Sequence, residues 1–315
     1  MHIICALCPK LFKTANLKRN EVDVMPGKKE NLVGYAFIAP ALVAFLILVA
    51  FPFVSSIFLS FTEWNFVSGW EGIRWVGLKN FKALLTDRNF TYAVKNTFIY
   101  AITTVPTSIL LALVLAYILN GKVFGKKIFR TCFFIPYISS IVALSAVFKF
   151  LFRDDGIVNN LLRTFGLEGI KWMADESFTK LPIILLMIYT AVGYNLIIYM
   201  AAIQNVPKEY YEASMLDGAT SFKQFCHITF PLISPTTFYL LVVRLIAAFK
   251  VFASINIFVM GDYARSNTSL VVEVYEKAFR YYKFGYASAE AFVLFVIILI
   301  ITLFNFWGQK KWVNY

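Results

Sequence analysis

Four ionisable side chains fall inside long apolar stretches of this sequence, and their chemistry needs explaining first. Lys250 sits beside Phe249 and Phe252 with Ser254 and Asn256 close behind, and Glu290 closes the run Gly285-Tyr286-Ala287-Ser288-Ala289-Glu290. A charge in an apolar segment is costly and marks either a paired group or a path for a polar solute. Two readings fit here, an internal Lys250–Glu290 ion pair or a polar route for a hydroxyl-rich molecule, and they can coexist. Lys149 and Arg244 lie toward the estimated ends of their stretches, where a long basic side chain reaches the interface along its own methylenes. Catalytic clusters are missing. Gly121-Lys122-Val123-Phe124-Gly125-Lys126 has the wrong spacing for a phosphate-binding loop, and neither Gly-x-Gly-x-x-Gly nor His-Glu-x-x-His occurs. With only His2 and His227, a histidine-based triad has almost nothing to draw on. Cys5-x-x-Cys8 lacks a second pair at ligand spacing, so reduced thiols are expected rather than a metal site. The chain is read as non-catalytic, with no cofactor and no metal of its own.

These residues must be carried by elements of an apolar kind. Of 315 residues, 59% are hydrophobic and 15% charged, and 33 are Phe. A soluble domain carries about 25% charge. Apolar runs long enough to cross a hydrocarbon core of about 30 Å recur along the chain. The fold class expected is an all-α polytopic membrane protein with about six spans, near residues 34–60, 94–119, 128–152, 181–204, 232–260 and 285–307. Pro40 and Pro52 interrupt the first and Pro136 the third; such breaks are tolerated where neighbouring helices satisfy the backbone. Trp64 is expected at a membrane interface. The net charge of +12 is spread over the segments between spans, where lipid and topology account for it better than nucleic acid does. Residues 1–31 read as a basic arm without a cleavable leader, because the apolar residues before Pro9 precede the basic ones. Residues 32–315 form the transmembrane domain. Basic residues are densest in the arm and around Lys122 to Arg130, which weakly favours both termini facing the cytoplasm.

One polar stretch stands apart. Between two spans, residues 205–231 hold Pro207-Lys208-Glu209-Tyr210-Tyr211-Glu212-Ala213-Ser214-Met215-Leu216-Asp217-Gly218 and a second short segment ending at Pro231. Two short helices are predicted. Pro207 suits a first helical position, Gly218 a left-handed C-terminal stop, Ser221 to Gln224 has capping-box spacing, and Pro231 should break the chain before the membrane resumes. A polar elbow between spans touches only water or another protein, so it reads as a docking element. Its pattern resembles the EAA motif of the membrane subunits of ATP-binding-cassette importers, carbohydrate branch: Glu212-Ala213-Ser214, three residues, Gly218, nine residues, then Ile228-Thr229-Phe230-Pro231. Ser214 and Phe230 depart mildly from the family's Ala and Leu.

The resemblance implies a type I importer topology and a permease subunit for sugars or oligosaccharides in a bacterial or archaeal cytoplasmic membrane. It further implies a second homologous permease, two ATPase subunits that carry ATP and Mg, and an external solute-binding protein. Glu212, Ala213, Ser214, Asp217, Gly218 and Pro231 would form the coupling site. Asn195 lies in a segment, Gly193-Tyr194-Asn195, that resembles the family's cavity-facing span. Sugars need amide, hydroxyl and aromatic partners, so Asn195, Tyr199, Lys250, Ser254, Asn256 and Glu290 are candidate path residues, although any one of them fits equally well as polar glue between helices. Two rivals come from other classes. An ion-driven secondary transporter would need internal repeats and embedded acidic residues, and only Glu290 qualifies. A membrane enzyme would need the missing clusters. Importers of non-sugar solutes remain within the leading class.

Overall fold

The computed structural model describes residues 28–121, 123–173, 175, 177–259, 267–310, 312 and 313, with side chains from Gly34 onward except at 259. Most of the arm, including Cys5 and Cys8, lies outside the described residues. Contacts divide the chain into two units, Met1–Val54 and Ser55–Tyr315.

The first unit contains α1 (Lys28–Phe45) and a five-residue π turn, Leu46–Ala50, leading into α2 (Phe51–Ser60). Pro40 lies inside α1 without ending it. The π turn directly precedes Phe51-Pro52, and a widened turn there relieves the contact between the proline ring and the carbonyl four residues back. Gly34–Ser60 is a continuous apolar run long enough to cross a membrane.

In the second unit a small hairpin, β1 (Thr62–Glu63) with β2 (Arg74–Trp75), follows α2. Next come α3 (Lys79–Thr86), α4 (Arg88–Asn120), α5 (Lys126–Ile138), α6 (Ile141–Leu151), α7 (Ile157–Thr164) and α8 (Lys180–Gln204). The elbow contributes α9 (Lys208–Leu216), α10 (Ser221–Gln224) and α11 (Phe230–Leu232). The chain ends with α12 (Ser234–Phe249), α13 (Ala253–Val259), α14 (Leu270–Tyr275) and α15 (Phe284–Gln309).

Five helical stretches are long and apolar enough to span a membrane, and six if the bent pair α5–α6 counts as one. That pair turns by 100° near Ser139-Ser140 instead of forming the straight third span expected from residues 128–152. Ser140 accepts from the Ala143 amide and starts α6 afresh, so the bend is a helix end followed by a capped start. The second span begins earlier than expected because Asp87 caps α4, accepting from the Asn89 amide at 2.8 Å.

The core forms where α4 lies along α8. Ala101, Val105, Ile109, Ala112 and Ala116 recur every three or four residues on α4 and pack with Val192, Leu196, Tyr199, Met200 and Ile203 of α8. Alanine at these positions lets the two backbones approach closely. Gly193 of α8 serves the same end against α5: a Cβ there would collide with the Phe133 carbonyl.

Trp64 does not sit at an exposed edge. It is buried, donates from Nε1 to the Gly69 carbonyl at 2.9 Å, and stacks on Trp70 with ring centroids 5.3 Å apart. The loop between β1 and β2 folds back over its ring, so an aromatic at a span's exit becomes core.

Candidate functional site

Polar residues gather in a cavity within the helices, in the elbow, and in a cluster around Glu290. The cavity, of about 390 Å³, lies among α4, the start of α6, α8 and the α12–α13 break. Its polar wall comprises Thr104 and Ser108 from α4, Thr190 from α8, and Arg244, Lys250 and Ser254 around the break. Helix α12 ends at Phe249, and the chain is non-helical for three residues before α13 resumes at Ala253. Lys250 is therefore held at a helix end, where its side chain stays exposed.

Arg244 was expected to reach an interface. It lies instead in the middle of the Ser234–Phe258 span, half-buried and lining the cavity. Nε donates to the Asn195 side-chain oxygen at 2.6 Å, and Nη2 donates to the Ala191 carbonyl at 3.0 Å. The guanidinium also lies 4.7 Å from the Tyr194 ring centroid and 6.0 Å from that of Tyr137. Counting positions inward from Ser234 would have found it, because the run places Arg244 about as far from either end as a residue can be.

Sequence candidates divide accordingly. Lys250 and Ser254 line the cavity. Asn195 is fully buried behind it, donating to Ser108 Oγ at 3.4 Å while orienting Arg244. Tyr199 is buried in the α4–α8 core and donates to Thr237 Oγ1 at 3.1 Å. Asn256 is half-buried in α13 and is not part of the cavity wall. Lys149, expected to snorkel, donates to the Ile257 carbonyl at 2.9 Å.

Glu290 lies elsewhere, and no ion pair joins it to Lys250. Its carboxylate is fully buried in α15, and neither oxygen has a hydrogen-bond partner among the described residues. Its charged neighbours are Asp87, Glu273 and Lys277. Lys250 belongs to the cavity wall, whereas Glu290 packs beside the start of α4 and the α14 turn, which accounts for the missing pair. In that cluster Lys277 Nζ lies 3.1 Å from Glu273 and 3.7 Å from Asp87, and Tyr286 donates to Asp87 at 2.7 Å. Partial burial pushes the Asp87 carboxyl up, but the Tyr286 hydroxyl, the Asn89 amide and the Lys277 charge together hold it below its ordinary 3.8. Burial works against the Lys277 charge, yet Glu273 and then Asp87 outweigh it and raise its proton affinity.

The elbow is rigid. Helix α9 closes with two hydrogen bonds, Gly218 N to the Met215 carbonyl at 3.1 Å and Ala219 N to the Ser214 carbonyl at 2.9 Å, with Gly218 at φ +72°. A Cβ on Gly218 would meet nothing within 4 Å, so backbone handedness, and not crowding, calls for glycine there. Pro207 is the residue before α9 and not its first member. Thr220, and not Ser221, caps α10 by accepting from the Lys223 amide. Gln224, expected in a capping box, reaches across the turn instead, donating to Ser214 Oγ at 2.8 Å. Tyr211 and Thr229 share a hydroxyl bond of 2.9 Å, and Tyr117 of α4 donates to the Ser221 carbonyl at 2.9 Å.

Pro231 does not break the helical run. The π turn Phe225–Thr229 precedes Phe230-Pro231, repeating the arrangement ahead of Phe51-Pro52, and the interruption falls at Ile233. Glu212, Ala213, Asp217 and Gly218 are exposed, as are Tyr210, Met215, Leu216 and Phe222. Among the described residues no group of three or more His, Cys, Asp and Glu is placed to hold a metal ion.

Comparison with known proteins agrees with this arrangement. Residues 93–312 match the family model described as "Binding-protein-dependent transport system inner membrane component". A probable ABC transporter permease protein of Bacillus subtilis, YesP, is 36% identical over 91% of this chain and 94% of its own length. The lactose transport system permease protein LacF of Rhizobium radiobacter is 31% identical over 88% of this chain and 94% of its own. A chain from the crystal structure of a bacterial ABC transporter involved in importing the acidic polysaccharide alginate superposes with a TM-score of 0.78 at 25% identity, covering 91% of this chain and 98% of that one. The chain therefore belongs to the family of binding-protein-dependent inner-membrane transport components and is a multi-pass, non-catalytic permease subunit of an ABC importer, homologous to carbohydrate importer permeases.

Proposed function

We propose that this permease carries sugars or oligosaccharides, and that the α9–α11 elbow is the point at which a separate ATPase drives it. The observation that carries the reading is the elbow itself. It is braced by Ser214, Gln224, Tyr211 and Tyr117, yet it exposes an acidic and apolar face to whatever docks there. Glu212 and Asp217 would meet the ATPase groove, Ala213 would permit close packing, Gly218 would set the turn, and Pro231 would carry movement into α12. The assembled importer would hold a second homologous permease, two ATPase subunits and an external binding protein, with the elbow and both termini on the cytoplasmic side. Closure of the ATPase pair would tilt the elbow as a lever and open the cavity toward the loaded binding protein.

On the solute side the proposed path residues are Lys250 and Ser254 on the cavity wall, with Asn195 acting through Arg244. The sugar assignment draws on relatives named for lactose and on the alginate importer. It is tested by uptake of labelled saccharide into proteoliposomes holding the complete transporter, with and without ATP. Gly218→Asp should leave the subunit inserted but uncouple ATP hydrolysis from uptake, because it strains a left-handed backbone and adds charge to the docking face. Full uptake by that variant would remove the lever role from the elbow. Lys250→Ala should change solute affinity or transport more than assembly, and unaltered kinetics with every sugar tested would leave Lys250 a structural part only.

A further inference from the structure

We infer that the cavity takes a saccharide bearing a negative charge, a carboxylate or a phosphate, and not a neutral sugar. The inference rests on the importer reading above and narrows it. Two cations, Arg244 and Lys250, line one cavity of about 390 Å³ whose other polar groups are the hydroxyls of Thr104, Ser108, Thr190 and Ser254. No carboxylate belongs to that wall. Among the described residues the ion pairs are Lys79–Glu63, Arg153–Asp155, Lys277 with Asp87 and Glu273, and Arg280–Glu276, and none involves either cavity cation.

Everything that holds Arg244 is neutral: the Asn195 amide oxygen, the Ala191 carbonyl and the rings of Tyr194 and Tyr137. Such partners fix the guanidinium in place without cancelling its charge. Asn195 is fully buried and tied to Ser108, so its oxygen is aimed before any solute arrives. A hydroxyl-only sugar would leave both charges unneutralised, Arg244 inside an apolar span where that is costly and Lys250 at the exposed end of α12. An anionic group entering between them supplies the missing charge and meets a planar fork suited to carboxylate or phosphate oxygens.

The experiment uses the complete transporter with its binding protein in proteoliposomes. Its probes are a galacturonate disaccharide, the neutral galactose disaccharide and a hexose phosphate. Lys250→Gln should lower the ratio of kcat/KM for an acidic probe to that for the neutral disaccharide by at least about tenfold. Lys250→Arg, which keeps the charge, should restore acidic uptake. Arg244→Lys serves as a second variant that keeps the charge within the span but removes the planar fork, and its loss should likewise fall on the acidic probes. The acidic probe that responds distinguishes carboxylate from phosphate. ATP-driven uptake of the neutral disaccharide with none of either acid, or equal losses for charged and neutral probes, would overturn the anionic assignment and leave the importer reading standing. No ATP-dependent uptake of any saccharide would overturn the importer reading, and this inference with it.

Discussion

At Ser214 a hydroxyl stands where the family's motif has a methyl, and it donates to the Tyr211 carbonyl while accepting from Gln224. Ser214→Ala removes that acceptor and leaves Gln224 with only its longer contact, 3.4 Å to the Tyr211 carbonyl. We expect the elbow to lose about 1 kcal/mol of internal stability, read as faster hydrogen exchange over 208–224. Exchange indistinguishable from wild type would show that the bond does not brace the turn. Glu290 is a different case, a buried carboxylate without a hydrogen-bond partner among the described residues. Glu290→Met keeps a similar unbranched shape and removes the buried polar group, so it should raise the melting temperature of the purified subunit. A lower melting temperature would mean that Glu290 contributes through its charged neighbours. Asp87 sets a pH dependence. Its pKa is lower folded than the ordinary 3.8, so its contribution is fully present above that value and is lost as pH falls through the folded pKa. Acidification below about pH 4 should therefore lower the melting temperature less in Asp87→Asn than in wild type.

Helices rather than single residues decide which of these groups meet. The first, fourth and last spans were legible in the sequence to within a residue or two, because long apolar runs with polar ends leave little choice of boundary. The 100° bend at Ser139-Ser140 was not legible, since Ser-Ser reads equally as a small-residue contact within a straight helix. Nor was the break at Lys250, where Phe249, Val251 and Phe252 continue the apolar run and only the lysine hints at an end. Gly193 marks the limit of pattern reading from the other side. Its purpose, room for the Phe133 carbonyl, depends on a helix distant in sequence. Gly193→Ala should cost about 1–3 kcal/mol by forcing α5 and α8 apart, visible as reduced yield and a lower melting temperature of the detergent-purified subunit. Unchanged stability would place the two helices further apart than described.

For the molecule as a whole, the elbow's position was legible while its partners within the fold were not. Spacing from Glu212 to Pro231 marked out the short helices between α8 and α12, but Tyr117 gave no sign in α4 that it would hold the Ser221 carbonyl. Arg244 likewise needed the cavity to be seen before its role as a wall residue could be assigned. A cysteine placed at Leu216, 90% exposed at the elbow's tip, should crosslink to the ATPase subunit in membranes and change its efficiency when nucleotide is added. Absence of any crosslink from this position and from Phe222 would separate the elbow from the motor.

The Tyr117 contact has a thermodynamic sequel. One end of α4 grips the elbow, and further along the same helix Thr104 and Ser108 form cavity wall. If an ATPase docks on the elbow as proposed, a solute that favours one pose of α4 must shift its grip there, and the ATPase must shift the solute's affinity by the same factor, because coupling free energy has no preferred direction. Severing the tether with Tyr117→Phe should shrink both effects together, and by equal ratios.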